Sequence, residues 1–230
     1  MEGLRIIGNP NELARKYYNQ GADEIIFLDT VASLYGRNQI RSVVEEAAHD
    51  VFVPMTVGGG LRAIEDIYLT LRSGADKVAI NTAAINNPEF LKEAAIAFGS
   101  QCIVLSVQAK RQPDGEWECY TENGRERTHK NALEWVVEAE QLGAGEILVT
   151  SVDQDGTRKG FDCELAEKIH RRVQIPVIVS GGAGKQEHII ELLSAPRADA
   201  VCCGTLFHYD LCPLPELKII LADSGFEVRP

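Results

Sequence analysis

Short apolar runs alternate with amphipathic stretches along almost the whole chain. Seven of the runs have the near-continuous hydrophobicity of parallel strands buried on both faces, and they span residues 24–29, 52–57, 77–80, 103–108, 146–151, 177–180 and 200–203. The stretches between them predict helices at residues 39–48, 63–73, 88–98, 132–142, 163–173, 186–194 and 215–224. A further helix opens the chain at Asn9-Pro10, where asparagine can cap and proline suits the first helical position. This alternation predicts a parallel sheet covered by helices.

The pattern is also duplicated, at an offset of 122 residues. Gly21-Ala22 matches Gly143-Ala144, and residues 53–60 match residues 175–182. An open doubly wound sheet and a closed (β/α)8 TIM barrel both fit alternating strands and helices. No G-x-G-x-x-G follows the first strand, and the duplication favours an α/β barrel built from two half-barrel repeats. The same offset places a partner for strand 103–108 upstream of Met1, so we expect the first barrel strand to be missing from this chain.

One segment interrupts this rhythm. Asp114-Gly115 and Asn123-Gly124 are turn signals on either side of a short alternating run, which predicts a hairpin inserted near residues 111–127. No linker or low-complexity tract divides the chain. We therefore predict one barrel domain over residues 1–230.

Composition and charge exclude several classes of protein. The chain is 45% hydrophobic and 25% charged, with a net charge of −11, which argues against a nucleic-acid-binding surface. It has no apolar run of 18 residues and no basic-then-apolar start, so neither a membrane span nor a signal peptide is predicted. Its six cysteines lack C-x-x-C spacing and are expected to be reduced core residues of a cytoplasmic protein. The histidines have no metal-ligand spacing, and the sequence predicts neither a metal nor a cofactor.

Two glycine-rich loops follow strands at equivalent positions of the two halves. Glycine lets backbone N–H groups approach an anion, and the start of the next helix favours negative charge. Tight turns that need positive φ explain one such loop, but the repetition favours two phosphate sites that face one ligand with a phosphate at each end. The loops contain Gly59, Gly60, Gly181 and Gly182, and the polar residues after the next strand of each half are Asn81, Thr82, Gly204 and Thr205.

Charged residues stand at both ends of the predicted strands. Asp29 and Asp155 follow strands, so they are expected at the mouth of the barrel, where catalysis and ligand binding occur; Asp155-Gly156 is also a common turn pair. Glu24, Lys77 and Glu146 begin strands and are expected at the opposite end. A salt-bridged ring that closes the bottom of the barrel and a functional group of charges are both compatible with that placement.

Several motifs in order resemble the cyclase subunit of imidazole glycerol phosphate synthase. They are Leu28-Asp29-x-x-Ala32-Ser33, Thr56-Val57-Gly58-Gly59-Gly60, Ala75-Asp76-Lys77-Val78-x-Ile80-Asn81-Thr82, Phe98-Gly99-Ser100-Gln101, Thr150-Ser151-x-Asp153-x-Asp155-Gly156-Thr157 and Ser180-Gly181-Gly182-Ala183-Gly184-Lys185. The resemblance implies a ribulose-phosphate-binding barrel, a bisphosphate ligand and a glutaminase partner whose ammonia passes through the barrel. The implied reaction is the cyclisation and lyase step of histidine biosynthesis.

The resemblance also assigns roles to individual residues. The glycine, asparagine and threonine residues of the two loop pairs match its phosphate-binding positions, and Asp29 and Asp155 match polar groups at its mouth. Glu24, Lys77 and Glu146 match a charged gate where ammonia enters, and Asp76 matches a position that faces the glutaminase.

The chain departs from the family at its acid–base pair. Gln108 stands where the family has an aspartate on strand 5, and an amide cannot exchange a proton near pH 7. The other aspartate would lie before Met1. Segments 2–5, 33–38 and 116–125 are similar to a cyclase-like branch associated with surface-polysaccharide genes. Three hypotheses follow: an altered cyclase, a non-catalytic ammonia conduit for sugar amidation, or a chain whose true start lies upstream.

Overall fold

The computed structural model describes residues 7–29 and 40–229. Its helices are α1 (Pro10–Asn19), α2 (Ile40–Ala47), α3 (Ile64–Arg72), α4 (Thr82–Asn86), α5 (Glu89–Phe98), α6 (Ala132–Gln141), α7 (Cys163–His170), α8 (Gln186–Leu193), α9 (Thr205–His208) and α10 (Leu214–Asp223), with a 3-10 turn at Ser100–Cys102. Its strands are β1 (Ile25–Leu28), β2 (Met55–Gly58), β3 (Lys77–Ile80), β4 (Ile103–Arg111), β5 (Trp117–Thr121), β6 (Glu126–Asn131), β7 (Glu146–Ser151), β8 (Val177–Ser180) and β9 (Ala200–Cys202).

The predicted parallel sheet is confirmed. Its strands follow the order β1-β2-β3-β4-β7-β8-β9, and every neighbouring pair on this path is parallel. Helices alternate with these strands, so the described elements are those of a (β/α)8-type barrel. The eighth strand that the sequence predicts upstream of Met1 lies outside the described residues.

The helices that flank the two ends of this path touch each other. Tyr17 Oη lies 2.7 Å from Nδ1 of His208, and Lys16 Nζ lies 2.6 Å from Asp210 Oδ1. Lys218 on α10 reaches Asp23, just before β1, at 2.9 Å. The sheet therefore curls until the segments before its first strand meet the helices after its last strand, as in a barrel.

The duplication appears in the hydrogen bonds as well as in the elements. The first residues of β2 and β8 are 122 positions apart in the sequence, and the first residues of α1 and α6 have the same separation. In one half Asp76 Oδ2 accepts from the Met55 N–H at 2.8 Å, and in the other Asp199 Oδ2 accepts from the Val177 N–H at 2.8 Å. The two halves thus use the same side-chain bond to fix the start of the equivalent strand.

The caps of α1 and α6 form a second matched pair. Asn9 Oδ1 accepts from Asn11 N at 2.8 Å and Glu12 N at 3.3 Å, which confirms the predicted cap. Asn131 Oδ1 accepts from the first-turn N–H groups of α6 at 2.8 and 3.2 Å.

We expect Asn131→Ala to lower the free energy of unfolding by about 1 kcal/mol, because two helical N–H groups lose their acceptor. Asn131→Asp keeps the acceptor and is the matched control, expected to stay within about 0.3 kcal/mol of wild type. Urea denaturation followed by circular dichroism measures both. Equal stability of the two variants would show that water replaces the cap.

An apolar layer fills the inside of the sheet midway between its two ends. Ala79, Val104, Leu148 and Ile178 form this layer and are at most 5% exposed, with Ile26 and Cys202 packed beside them. The larger core lies outside the sheet, between strands and helices, and contains Trp117 and Trp135. The inner layer separates the polar groups at the strand starts from those at the strand ends.

An antiparallel excursion follows residues 103–108 and ends at Asn131, beyond the predicted bounds of 111–127. β4 continues to Arg111 and pairs antiparallel with β5, which pairs antiparallel with β6. The buried Trp117 ring anchors it, because its Nε1 donates to Asp162 Oδ2 at 2.9 Å. Asp162 also caps α7, so the insertion is tied to the barrel wall.

Some predicted bounds are wrong. The strand predicted at 52–57 begins at Met55, because Pro54 lacks the N–H that strand pairing needs. Phe52 lies outside the strand and is 74% exposed. The short helices α4 and α9 are absent from the sequence prediction, since four or five residues carry little periodicity. The motif residues 2–5 and 32–38 lie outside the described residues, so the structure does not test them.

Two further observations concern the class of protein. No helix in the described part of the chain combines the length and apolarity needed to cross a membrane. All six cysteines lie in that part and all are unpaired. Burial raises the pKa of the Cys119 thiol to about 12, so this thiol stays protonated and unreactive near neutral pH.

Candidate functional site

A cavity of about 630 Å³ opens at the carboxyl ends of the strands. This is the end of a parallel barrel at which ligands bind. Seven of the predicted site residues line it: Asp29, Gly59, Gly60, Asn81, Thr82, Gln108 and Asp155. The structure therefore brings these seven residues together at one end of the sheet.

The first glycine loop closes one side of the cavity. Gly59 and Gly60 have φ of +111° and +71°, and a Cβ on Gly59 would lie 2.4 Å from the Asp29 carbonyl oxygen. The loop thus needs glycine both for its backbone angles and for its close approach to the end of β1. Thr82 begins α4 beside it.

The second glycine loop packs against the segment that follows β7. A Cβ on Gly182 would lie only 2.0 Å from the carbonyl oxygen of Gly160, and Gly160 N donates to Gly182 O at 2.9 Å. A Cβ on Gly181 would lie 3.4 Å from the Cβ of Asp155. Ser180 lines the cavity, whereas Gly181, Gly182, Gly204 and Thr205 are outside its lining. The structure does not gather the two predicted phosphate loops into one cavity wall.

Two amide side chains in the cavity hold the inserted hairpin. Gln108 Oε1 accepts from the Gly124 N–H at 2.7 Å, and Asn81 Nδ2 donates to the Tyr120 carbonyl at 3.2 Å. The hairpin tip is therefore tied to two strand ends and lies over the cavity. The Asn81 amide, predicted as a phosphate ligand, is committed to this contact through its nitrogen.

The three charged residues that begin strands meet at the opposite end of the sheet. Lys77 Nζ lies 2.9 Å from Glu24 Oε1 and 2.7 Å from Glu146 Oε1, and the three side chains are 18–26% exposed. Thr56, which is fully buried, donates to Glu24 Oε1 at 3.0 Å. The predicted cluster is thus real as a geometric unit, with Thr56 as a member that sequence reasoning missed.

The charge of this cluster is unbalanced in favour of the carboxylates. Burial by itself lowers the pKa of Lys77. Its hydrogen bonds to Glu146 and Glu24, and their negative charges, raise the pKa by more than burial lowers it, so the pKa lies above the usual 10.5. Lys77 therefore stays an ammonium ion at neutral pH. Glu146 Oε2 is shielded from water and has no hydrogen-bond partner among the described residues.

Asp76 has a local structural task. Its carboxylate holds the start of β2 through the Met55 N–H, as Asp199 does in the other half, while its side chain is exposed. The predicted contact with a glutaminase stays a prediction, and the strand-starting bond explains the residue without it.

Sequence reasoning missed the cavity residues contributed by the hairpin. Glu122 and Asn123 line the cavity from the hairpin tip, with φ of +49° and +59°. The Asn123-Gly124 turn signal was visible, but the place where its tip lands depends on tertiary contacts. Ser106 and Thr150, inward-facing on β4 and β7, also line the cavity.

Comparison with known proteins gives the lineage of this site. The family described as "Histidine biosynthesis protein" matches residues 1–213. The imidazole glycerol phosphate synthase subunit HisF of Legionella pneumophila is 58% identical over 187 residues, which cover 81% of this chain and 88% of that protein. The chain belongs to the histidine-biosynthesis barrel family.

Within that family the chain resembles a cyclase subunit over 187 residues. The roles that the resemblance gives to the glycine loops and the charged cluster stay predictions. Gln108, which the resemblance places at the family's strand-5 aspartate, reaches the hairpin backbone with its side-chain amide.

Proposed function

We propose that this chain is the ammonia-dependent cyclase subunit of an imidazole glycerol phosphate synthase-type enzyme, with an altered acid–base set. One observation carries the proposal: a ligand-sized cavity at the carboxyl ends of the strands is opposite a Glu24–Lys77–Glu146 cluster at their amino ends. The 58% sequence identity between this chain and the HisF subunit of Legionella pneumophila supports the same assignment.

The cavity suits an anionic ligand at one end. Backbone N–H groups of Gly59 and Gly60, with the hydroxyl of Thr82, form a concave surface for one phosphate. The equivalent loop at Gly181 and Gly182, completed by Gly204 and Thr205, is proposed for the second phosphate. Asn81 contributes through its backbone, because its side-chain nitrogen holds the hairpin. Asp29 and Asp155 then meet the uncharged middle of a bisphosphate ligand.

The charged cluster suits a gate for ammonia. Ammonia can cross the apolar layer of Ala79, Val104, Leu148 and Ile178 only as the neutral molecule, because an ammonium ion would lose its hydration there. The unpartnered Glu146 Oε2 can take a proton from an arriving ammonium ion. We propose a glutaminase subunit as the source, docked near Asp76, and a cytoplasmic location.

Gln108 favours a second candidate function, that of a non-catalytic ammonia conduit. Its carbonyl oxygen is already occupied by the Gly124 N–H, and an amide transfers no proton at neutral pH. A barrel that passes ammonia to a separate sugar-amidating enzyme for surface polysaccharides would need the charged cluster and not an acid–base pair.

Turnover separates the two functions. The purified full chain is mixed with ammonium chloride and the bisphosphate ribonucleotide on which imidazole glycerol phosphate synthases act, and the imidazole product is followed by chromatography. Product above the protein-free blank is expected. No product, together with stimulation of a co-purified glutaminase, would overturn the cyclase assignment and favour the conduit.

A further inference from the structure

The hairpin tip carries a carboxylate that the rest of the cavity leaves unexplained. Glu122 lines the cavity together with Gln108, and its Oε2 is shielded from solvent without a hydrogen-bond partner among the described residues. A carboxylate oxygen buried in this way destabilises the fold, because it loses its hydrogen bonds to water and gains none from the protein. Proteins retain such a group where a ligand or a reaction uses it.

The backbone of the same residue is also held in an unfavourable conformation. Glu122 has φ of +49° and Asn123 has φ of +59°, in the left-handed region that is unfavourable for a residue with a side chain. The contacts that impose it are the Gly124 N–H bond to Gln108 and the Asn81 bond to the Tyr120 carbonyl. These two bonds on either side of Glu122 fix it over the strand ends.

The anchoring residues make the tip a rigid support. Trp117 is bonded to Asp162 at 2.9 Å, and Arg111 and Lys168 lie over its ring at 4.9 and 4.8 Å. Glu118, only 6% exposed, accepts from Arg127 at 2.7 Å and from the His129 N–H at 2.8 Å. A carboxylate on such a base is positioned rather than mobile.

The other two carboxylates of the cavity are placed differently. Asp29 lies against the first glycine loop, and Asp155 lies against the second, at the Cβ position of Gly181. Glu122 instead lines the cavity from the hairpin tip. Gly124 of the same tip donates its N–H to Gln108. Glu122 adds a carboxylate to the cavity that Gln108 lines with an amide.

The geometry points to Glu122 as the proton-transferring carboxylate of this site, acting in place of the strand residue Gln108. This inference rests on the proposed function. Ammonia attacks a carbonyl carbon of the ligand, an N–C bond forms, and the C=O π pair becomes a lone pair on oxygen. Glu122 takes one proton from the new ammonium nitrogen and delivers it to that oxygen. A carbinolamine results, and the carboxylate is regenerated.

The test compares Glu122→Gln with Glu126→Gln in the full chain. Glu126 lies on the same hairpin, pairs with Thr121 and is exposed, so its variant controls for the loss of one charge. With the bisphosphate ribonucleotide and saturating ammonium chloride, Glu122→Gln is expected to lower kcat by about 10²–10⁴-fold, with KM within about three-fold. Glu122→Asp, which keeps the carboxylate, should restore part of the rate. Glu126→Gln should stay within about two-fold of wild type.

The outcomes separate this inference from the proposed function. If wild type turns over and Glu122→Gln keeps its kcat, Glu122 transfers no proton and the cyclase assignment stands. If wild type gives no product above the blank, the cyclase assignment fails and the inference fails with it. Equal melting temperatures of wild type and Glu122→Gln exclude unfolding as the cause of a rate loss.

Discussion

Lys77→Met is expected to lower the free energy of unfolding by about 3 kcal/mol. The substitution leaves Glu24 and Glu146 facing each other without the ammonium that each contacts within 3 Å. Two half-buried carboxylates without a partner then lose solvation and repel each other. Urea denaturation at pH 7, followed by tryptophan fluorescence and circular dichroism, measures the loss.

A surface lysine provides the control. Lys92 pairs with Glu89 at 3.6 Å on α5 and is 58% exposed, so Lys92→Met should cost less than about 0.5 kcal/mol. Adding Glu146→Gln to Lys77→Met removes one of the two opposed charges and should recover part of the stability. A Lys77→Met protein as stable as the Lys92→Met protein would mean that water already screens the cluster.

The same cluster predicts a pH dependence. Because the folded protein raises the pKa of Lys77 above 10.5, the stabilisation it provides is complete below pH 10.5. That stabilisation is lost as the pH rises through the folded-state pKa. The difference in stability between wild type and Lys77→Met should therefore be constant from pH 8 to 10 and shrink in more alkaline solution.

Gly182→Ala is expected to destabilise the protein by about 3 kcal/mol and to disrupt the second glycine loop. The backbone of Gly182 has φ of +111°, and the new methyl group would lie 2.0 Å from the Gly160 carbonyl oxygen. The left-handed backbone accounts for about 1 kcal/mol and the displaced carbonyl for the rest. Thermal unfolding and urea denaturation give the two measures.

Gly115→Ala separates the two causes. Gly115 has φ of +89° in a hairpin turn, and nothing lies within 4 Å of its Cβ position. Its variant should therefore lose only about 1 kcal/mol. If both variants lose the same amount, the Gly160 segment moves away freely and the close approach at Gly182 is not a constraint.

The sequence determined the architecture because its signals are local and repeated. The apolar runs at 77–80, 146–151 and 177–180 coincide with β3, β7 and β8, since strands buried on both faces must be apolar along their length. The caps at Asn9 and Asn131 recur at the offset of the duplication for the same local reason. The glycine loops and the charged strand starts were visible too, because strand polarity in a parallel barrel assigns each end of a strand to one face.

Only the tertiary structure decided how the site is completed. The two glycine loops have one sequence pattern, yet only Gly59 and Gly60 line the cavity, because the segment around Gly160 packs onto Gly182. Glu122 gives no sequence signal for a site, since its position depends on bonds from Gln108 and Asn81 that join residues 16 and 39 positions apart. Contacts over such separations are set by packing of the folded chain. For that reason the sequence determined the barrel and its two polar ends, and the fold determined which hairpin side chains line the cavity.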